Sequence, residues 1–196
     1  IRTGHKLSIN DEYEPEQNEY DEAKAREIFI AALEKYKQEK DIDPTELINY
    51  YLYLFMNKEE ERELMVELTK HRLPPLRGIK FCYVEEADSE DINRFLIRAF
   101  PSSVYEFKFN ERASESWVDM SPYIKGISKA VTHVTDQVIM YYGEFSAETL
   151  NQLIASSAHV AQIQVHYSKI DRENDFDFTS HLTYKTQELW FTSCGR

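Results

Sequence analysis

Glycine, proline, cysteine and basic side chains are all scarce in this sequence, and each shortage closes off a class of protein. Only Cys82 and Cys194 occur, at no paired spacing. Neither a disulfide framework nor a zinc site is therefore expected, and a reducing compartment, cytoplasm or nucleus, is. The Asn-X-Ser/Thr glycosylation pattern is absent. Apolar runs such as residues 50–56 fall far short of the ~20 residues a membrane span requires, so no membrane is expected as a partner. The chain starts at Ile1 without a signal-peptide pattern. Its 23 Lys and Arg face 35 Asp and Glu, and the net charge of −12 repels phosphate backbones, which argues against nucleic acid. Five isolated glycines leave no phosphate-cradling loop and no Gly-flanked nucleophilic serine.

What is present is a core. Apolar residues make up 42% of the 196 positions and aromatics 13%, enough to fold without staples, and the few glycines and six prolines imply mostly regular structure. Residues 1–18, acidic and without apolar period, read as an extended lead-in. Helical spacing of Ala25, Ile28, Phe29, Ala32, Leu33 and Tyr36 predicts a helix over 19–40. Asp43 before Pro44 has the form of an N-cap, and the stripe Leu47, Ile48, Tyr51, Leu52, Phe55 and Met56 predicts a second helix. A third, over 58–70, carries acids in its first turn and Lys70 and His71 in its last, until Pro74 and Pro75 stop it. Residues 19–75 thus read as a helical region.

From Leu76 onward one pattern recurs. An apolar residue is followed three positions later by a second and two later again by a third: Leu76, Ile79, Phe81; Val104, Phe107, Phe109; Thr135, Val138, Met140; Val160, Ile163, Val165; Thr186, Leu189, Phe191. Each triplet reads as a short strand, and helically spaced apolar residues separate the strands, so residues 76–196 hold about five strand–helix units repeating every ~25 to 31 residues.

This frame resembles the leucine-rich repeat in its ribonuclease-inhibitor-like form, whose unit runs Leu, two residues, Leu, one, Leu, two, Asn or Cys, one, Leu. Gly143 and Phe145 after Met140, Ser168 and Ile170 after Val165, and Cys194 after Phe191 keep the later positions in register. Leucine is mostly replaced by Ile, Val, Phe or Tyr, and the polar turn position falls on Val84 in the first unit and Arg112 in the second. The resemblance implies an α/β right-handed solenoid with one curved parallel sheet, strands in sequence order and helices on the outer side, capped by the helical region. An ordinary α/β domain with parallel strands produces the same local pattern.

Catalytic chemistry finds little footing. The six histidines make no i, i+4 metal pair. Asp171, Glu173, Asp175 and Asp177 alternate like the start of a calcium loop, but Phe176 stands where Gly is needed and Leu182 where the closing Glu belongs. No catalytic residue, metal or cofactor is expected. The strand positions between the buried ones are more informative, because stacking the units lays them in rows. One row holds Lys80, Lys108, Ile139, Gln164 and Trp190; the next holds Cys82, Asn110, Tyr141, His166 and Thr192; a third holds Tyr83, Glu111, Tyr142 and Tyr167. Tyrosine and tryptophan anchor protein interfaces. The candidate binding residues are accordingly Lys80, Lys108, Tyr141, Tyr142, His166, Tyr167 and Trp190, an exposed aromatic strip with a basic flank suited to an acidic segment of a protein partner. Two other readings stand beside this adaptor or regulator: a helical oligomerisation module over 19–70, and an α/β enzyme with a pocket at the carboxyl ends of the strands.

Overall fold

Large side chains alternating in and out make residues 51–55 a strand, and the same alternation recurs along the chain. The computed structural model describes residues 48–70, 72–113, 117–171 and 188–192, with helical positions at 31 and 34. The lead-in over 1–18, most of the expected helix over 19–40, the acidic loop after Asp171, the segment around Phe178 and Leu182, and Cys194 lie outside the described residues.

In chain order the elements are β1 (Tyr51–Phe55), α1 (Glu59–Leu68), β2 (Leu76–Cys82), α2 (Ser89–Arg98), β3 (Val104–Phe109), β4 (Val118–Asp119), α3 (Ile124–Val131), β5 (Val134–Tyr141), β6 (Gly143–Phe145), α4 (Ala147–Ser156), β7 (Gln162–His166), β8 (Lys169–Ile170) and β9 (Glu188–Thr192). Six of the strands form one parallel sheet ordered β1-β2-β3-β5-β7-β9, which is their order in sequence, and it does not close into a barrel. The short strands make a second parallel sheet, β4-β6-β8. The chain is thus α/β, with four described helices.

Helix starts follow local chemistry. Asp88 caps α2 by accepting from the Glu90 N–H, and Ser146 caps α4 by accepting from the Thr149 N–H, each satisfying a donor that the first helical turn leaves unpaired. The apolar faces read from sequence are the buried ones: Ile92, Phe95 and Leu96 on α2, Ile127 and Val131 on α3, Leu150, Leu153 and Ile154 on α4. These residues share one core with the inward strand positions Ile79, Phe81, Phe107, Phe109, Val138, Met140, Ile163 and Val165. Consecutive helices pack on one another, so all four lie on the same side of the sheet. Edge-on aromatic pairs lock that core: Phe81 meets Phe95 at 5.6 Å and Phe100 meets Phe107 at 5.4 Å between ring centres.

Three expectations are corrected. The helix predicted over 43–56 gives way at Tyr51 to strand β1, which pairs with β2 in register Tyr51 to Gly78 through Phe55 to Cys82. Its run of tyrosine, leucine and phenylalanine has no polar face for a helix to turn to water, whereas a strand buries Leu52 and Leu54 and turns Tyr51 and Phe55 outward. Ile48, placed on the buried stripe, is 46% exposed. Thr135, expected inward, is exposed, and Val134 takes its place, because the β3–β5 register slips by one residue between Val104 and Glu106. Finally the irregular stretch before α3 contains a strand, β4.

Candidate functional site

The side of the large sheet opposite the helices carries Tyr51, Tyr53 and Phe55 on β1, Lys80 and Cys82 on β2, Glu106 and Lys108 on β3, Gln137, Ile139 and Tyr141 on β5, Gln162, Gln164 and His166 on β7, and Glu188, Trp190 and Thr192 on β9. Strand pairing aligns them as the sequence rows anticipate: Lys80 opposes Lys108, Lys108 opposes Ile139, Ile139 opposes Gln164 and Gln164 opposes Trp190. Tyr141 opposes His166, which opposes Thr192. The face is less open than expected. Ile139 is buried, and Tyr141, Tyr142, His166, Tyr167 and Trp190 are half-buried.

Its two halves differ. On β1 to β3 the charges satisfy one another: the Lys108 ammonium lies 3.0 Å from Glu106 and 3.3 Å from Glu111, Lys80 reaches Glu111 at 3.9 Å, and the Tyr51 hydroxyl donates to Glu106 at 3.2 Å. Burial by itself lowers the pKa of Lys108, but the Glu106 and Glu111 carboxylates more than offset it and hold the amine charged well beyond the ordinary lysine range. Lys80 also sits over the rings of Tyr51 and Tyr53. The expected basic flank is therefore corrected: both lysines are on the face, but carboxylates of this chain already hold them, and an acidic ligand would have to compete with Glu106 and Glu111.

On β5 to β9 the face is aromatic and amide. Tyr141 and His166 stack at 5.1 Å with rings 21° apart, and the His166 Nε2 is 2.9 Å from Gln164 Oε1. Burial, then the Lys108 charge, pushes the imidazole pKa below its usual value. Trp190 donates through Nε1 to Glu188 at 3.1 Å. Tyr142 and Tyr167 stack at 5.4 Å and 16°.

Those two tyrosines stand at corners where the chain leaves the large sheet for the small one. Tyr83, Asn110, Tyr142 and Tyr167 have positive φ, at 56°, 59°, 49° and 49°. For a bulky side chain this conformation costs on the order of 1 kcal/mol or more. Asn110, which tolerates it, is fully buried, and its Oδ1 accepts from the Val84 N–H at 3.3 Å, tying one turn to the next. The polar turn position of that unit is thus Asn110, not Arg112. Two units later Ser168 makes the equivalent tie as the sequence frame places it: its Oγ accepts from the Gly143 N–H at 3.0 Å and donates to the His166 carbonyl at 2.8 Å. Gly143 has no room for a side chain, since a Cβ would stand 2.5 Å from Phe145 and 2.8 Å from Met120.

Trp117 is the residue the sequence rows missed. It precedes β4 and is 45% exposed, and its Nε1 donates to the Tyr167 carbonyl at 2.8 Å while the Lys169 ammonium lies 4.1 Å from its ring centre. Only a lone aromatic in an irregular stretch announced it. The arrangement as a whole is suited to binding, by flat apolar rings framed by amides. No protein-family model, curated protein or solved structure matches the chain.

Proposed function

We propose that the chain is an irregular leucine-rich-repeat-like solenoid whose open sheet face recognises a protein partner without doing chemistry, in the cytoplasm or nucleus. The observation that carries this reading is an all-parallel sheet with α1 to α4 on one side and aromatic side chains on the other. Parallel sheets are ordinarily covered on both faces. Among the described residues no helix packs on the second face, although Cys82, Ile139 and Thr192 on it are buried, and a face free of helices is what stacked strand–helix units present as their usual binding surface. The turn ties at Asn110 and Ser168 and the sequence-ordered strands support the same architecture, with β1 and α1 as a unit ahead of the five read from sequence. Retaining tyrosine at strained corners, where Gly or Asn would relax the backbone, supports selection for the rings themselves.

The test is positional. A photo-crosslinking phenylalanine is placed at Tyr141 or Trp190 on the open face and at Glu63 or Ile97 on the helical side, then irradiated in native lysate. The reading expects one protein adduct common to the two open-face positions and missing from the helical ones. Adducts confined to the helical side would move the interface there.

A further inference from the structure

We propose that the outer face of the small sheet, where Trp117, Asp119, Glu144 and Lys169 meet beside Tyr142 and Tyr167, is a seat for a basic segment of the protein partner, an arginine or lysine side chain packed on aromatic faces and paired with carboxylate. This rests on the protein-recognition reading and names the partner's chemistry.

Placement comes from strand pairing. Asp119 opposes Glu144 and Glu144 opposes Lys169, so the three side chains point the same way, outward, while Gly143, Phe145 and Ile170 point into the core. Trp117 lies over this outward side, because its indole reaches the Tyr167 carbonyl and meets the Lys169 ammonium. Asp119 and Glu144 are exposed and form no ion pair among the described residues.

Lys169 tells what the aromatic ledge accepts. A cation of this chain already rests on Trp117 at 4.1 Å, and the ring quadrupole that holds it attracts any ammonium or guanidinium. The same preference runs through the molecule: the described residues hold six cation–ring contacts, Arg77 over Tyr105 at 3.8 Å the closest. Charge complementarity points the same way. The chain carries −12 overall, and two carboxylates without an ion pair, Asp119 accepting only the Ser121 N–H at 2.9 Å among the described residues, would draw a basic segment to the exposed indole and repel an acidic one.

The experiment follows the indole N–H resonances of the full chain by NMR, the Trp117 signal being assigned with Trp190→Phe. The probes are capped hexa-arginine and capped hexa-glutamate. Hexa-arginine should shift the Trp117 signal saturably and hexa-glutamate should not, and Asp119→Asn with Glu144→Gln should weaken hexa-arginine about five-fold or more at unchanged melting temperature. A control pair, Glu59→Gln with Glu63→Gln in the acidic groove between α1 and α2, should leave the affinity within about two-fold. Three results would overturn the proposal: no shift with hexa-arginine, equal shifts with both probes, or equal loss in the control pair, which would reduce the effect to net charge. Open-face crosslinks without hexa-arginine binding would leave the recognition reading standing and remove this inference alone.

Discussion

His166 concentrates the physics of the open face in one side chain. Its ring stacks on Tyr141, tilts against Tyr167 at 6.3 Å and bonds to Gln164, and burial, then the Lys108 ammonium, makes the folded state favour the neutral imidazole. His133 is shifted the same way by burial and then by Arg72 and Lys129, partly opposed by a Ser102 backbone bond. Unfolding restores the ordinary pKa near 6.5. Below that value the unfolded chain binds more protons than the folded one, so these histidines contribute stability that is fully present above pH ~6.5 and lost as pH falls through the folded value. Denaturant midpoints from pH 8 to 5 should therefore fall, and His166→Gln should shallow the fall; an equal slope in the variant would remove His166 as a source. Corner residues divide at this scale by how local their cause is. Ser168 was legible because the repeat frame points at it, while Asn110 was not, since the chain turns one residue after Phe109 in that unit but two residues after Met140 in the next. Nor was the pairing of Lys80 legible, because Glu111 reaches it only once β2 and β3 lie side by side, whereas Lys108 meets Glu106 and Glu111 within its own segment, a local spacing that the rows passed over.

Among the elements, the strands at Ile79, Phe107, Val138, Ile163 and Leu189 lie where the triplet pattern sets them, because each needs two inward apolar residues and has them. Strand β1 escaped because a seven-residue run of large apolar side chains fits a helical stripe and a strand equally well until a neighbour offers hydrogen bonds. The short strands β4, β6 and β8 are two or three residues long, too short to carry a period. Stability measurements separate the strand from the helix reading of residues 48–56. Leu54 and Phe107 are fully buried, so Leu54→Ala should cost about 2 to 5 kcal/mol and Phe107→Ala about 3 to 5. Exposed Ile48, which the helix would have buried, should cost less than about 0.5 kcal/mol as Ile48→Ala. A large loss at Ile48 with little at Leu54 would restore the helix.

At the scale of the whole molecule, a sheet helix-covered on one side leaves a broad surface whose chemistry is graded along the strand order. The β1 to β3 end holds its charges in internal pairs, the β5 to β9 end presents rings and amides, and the small sheet adds the exposed indole. Internal pairs resist competition, so the proposed recognition would draw its binding energy from Tyr141 and Trp190 rather than from Lys80 and Lys108. Affinity for the crosslinked partner, measured for Tyr141→Ala and Trp190→Ala beside the parent, tests this most directly. Each substitution should leave the melting temperature within a few degrees and weaken binding by roughly 2 kcal/mol, as loss of an anchor residue does. Folded variants that bind as tightly as the parent would contradict it.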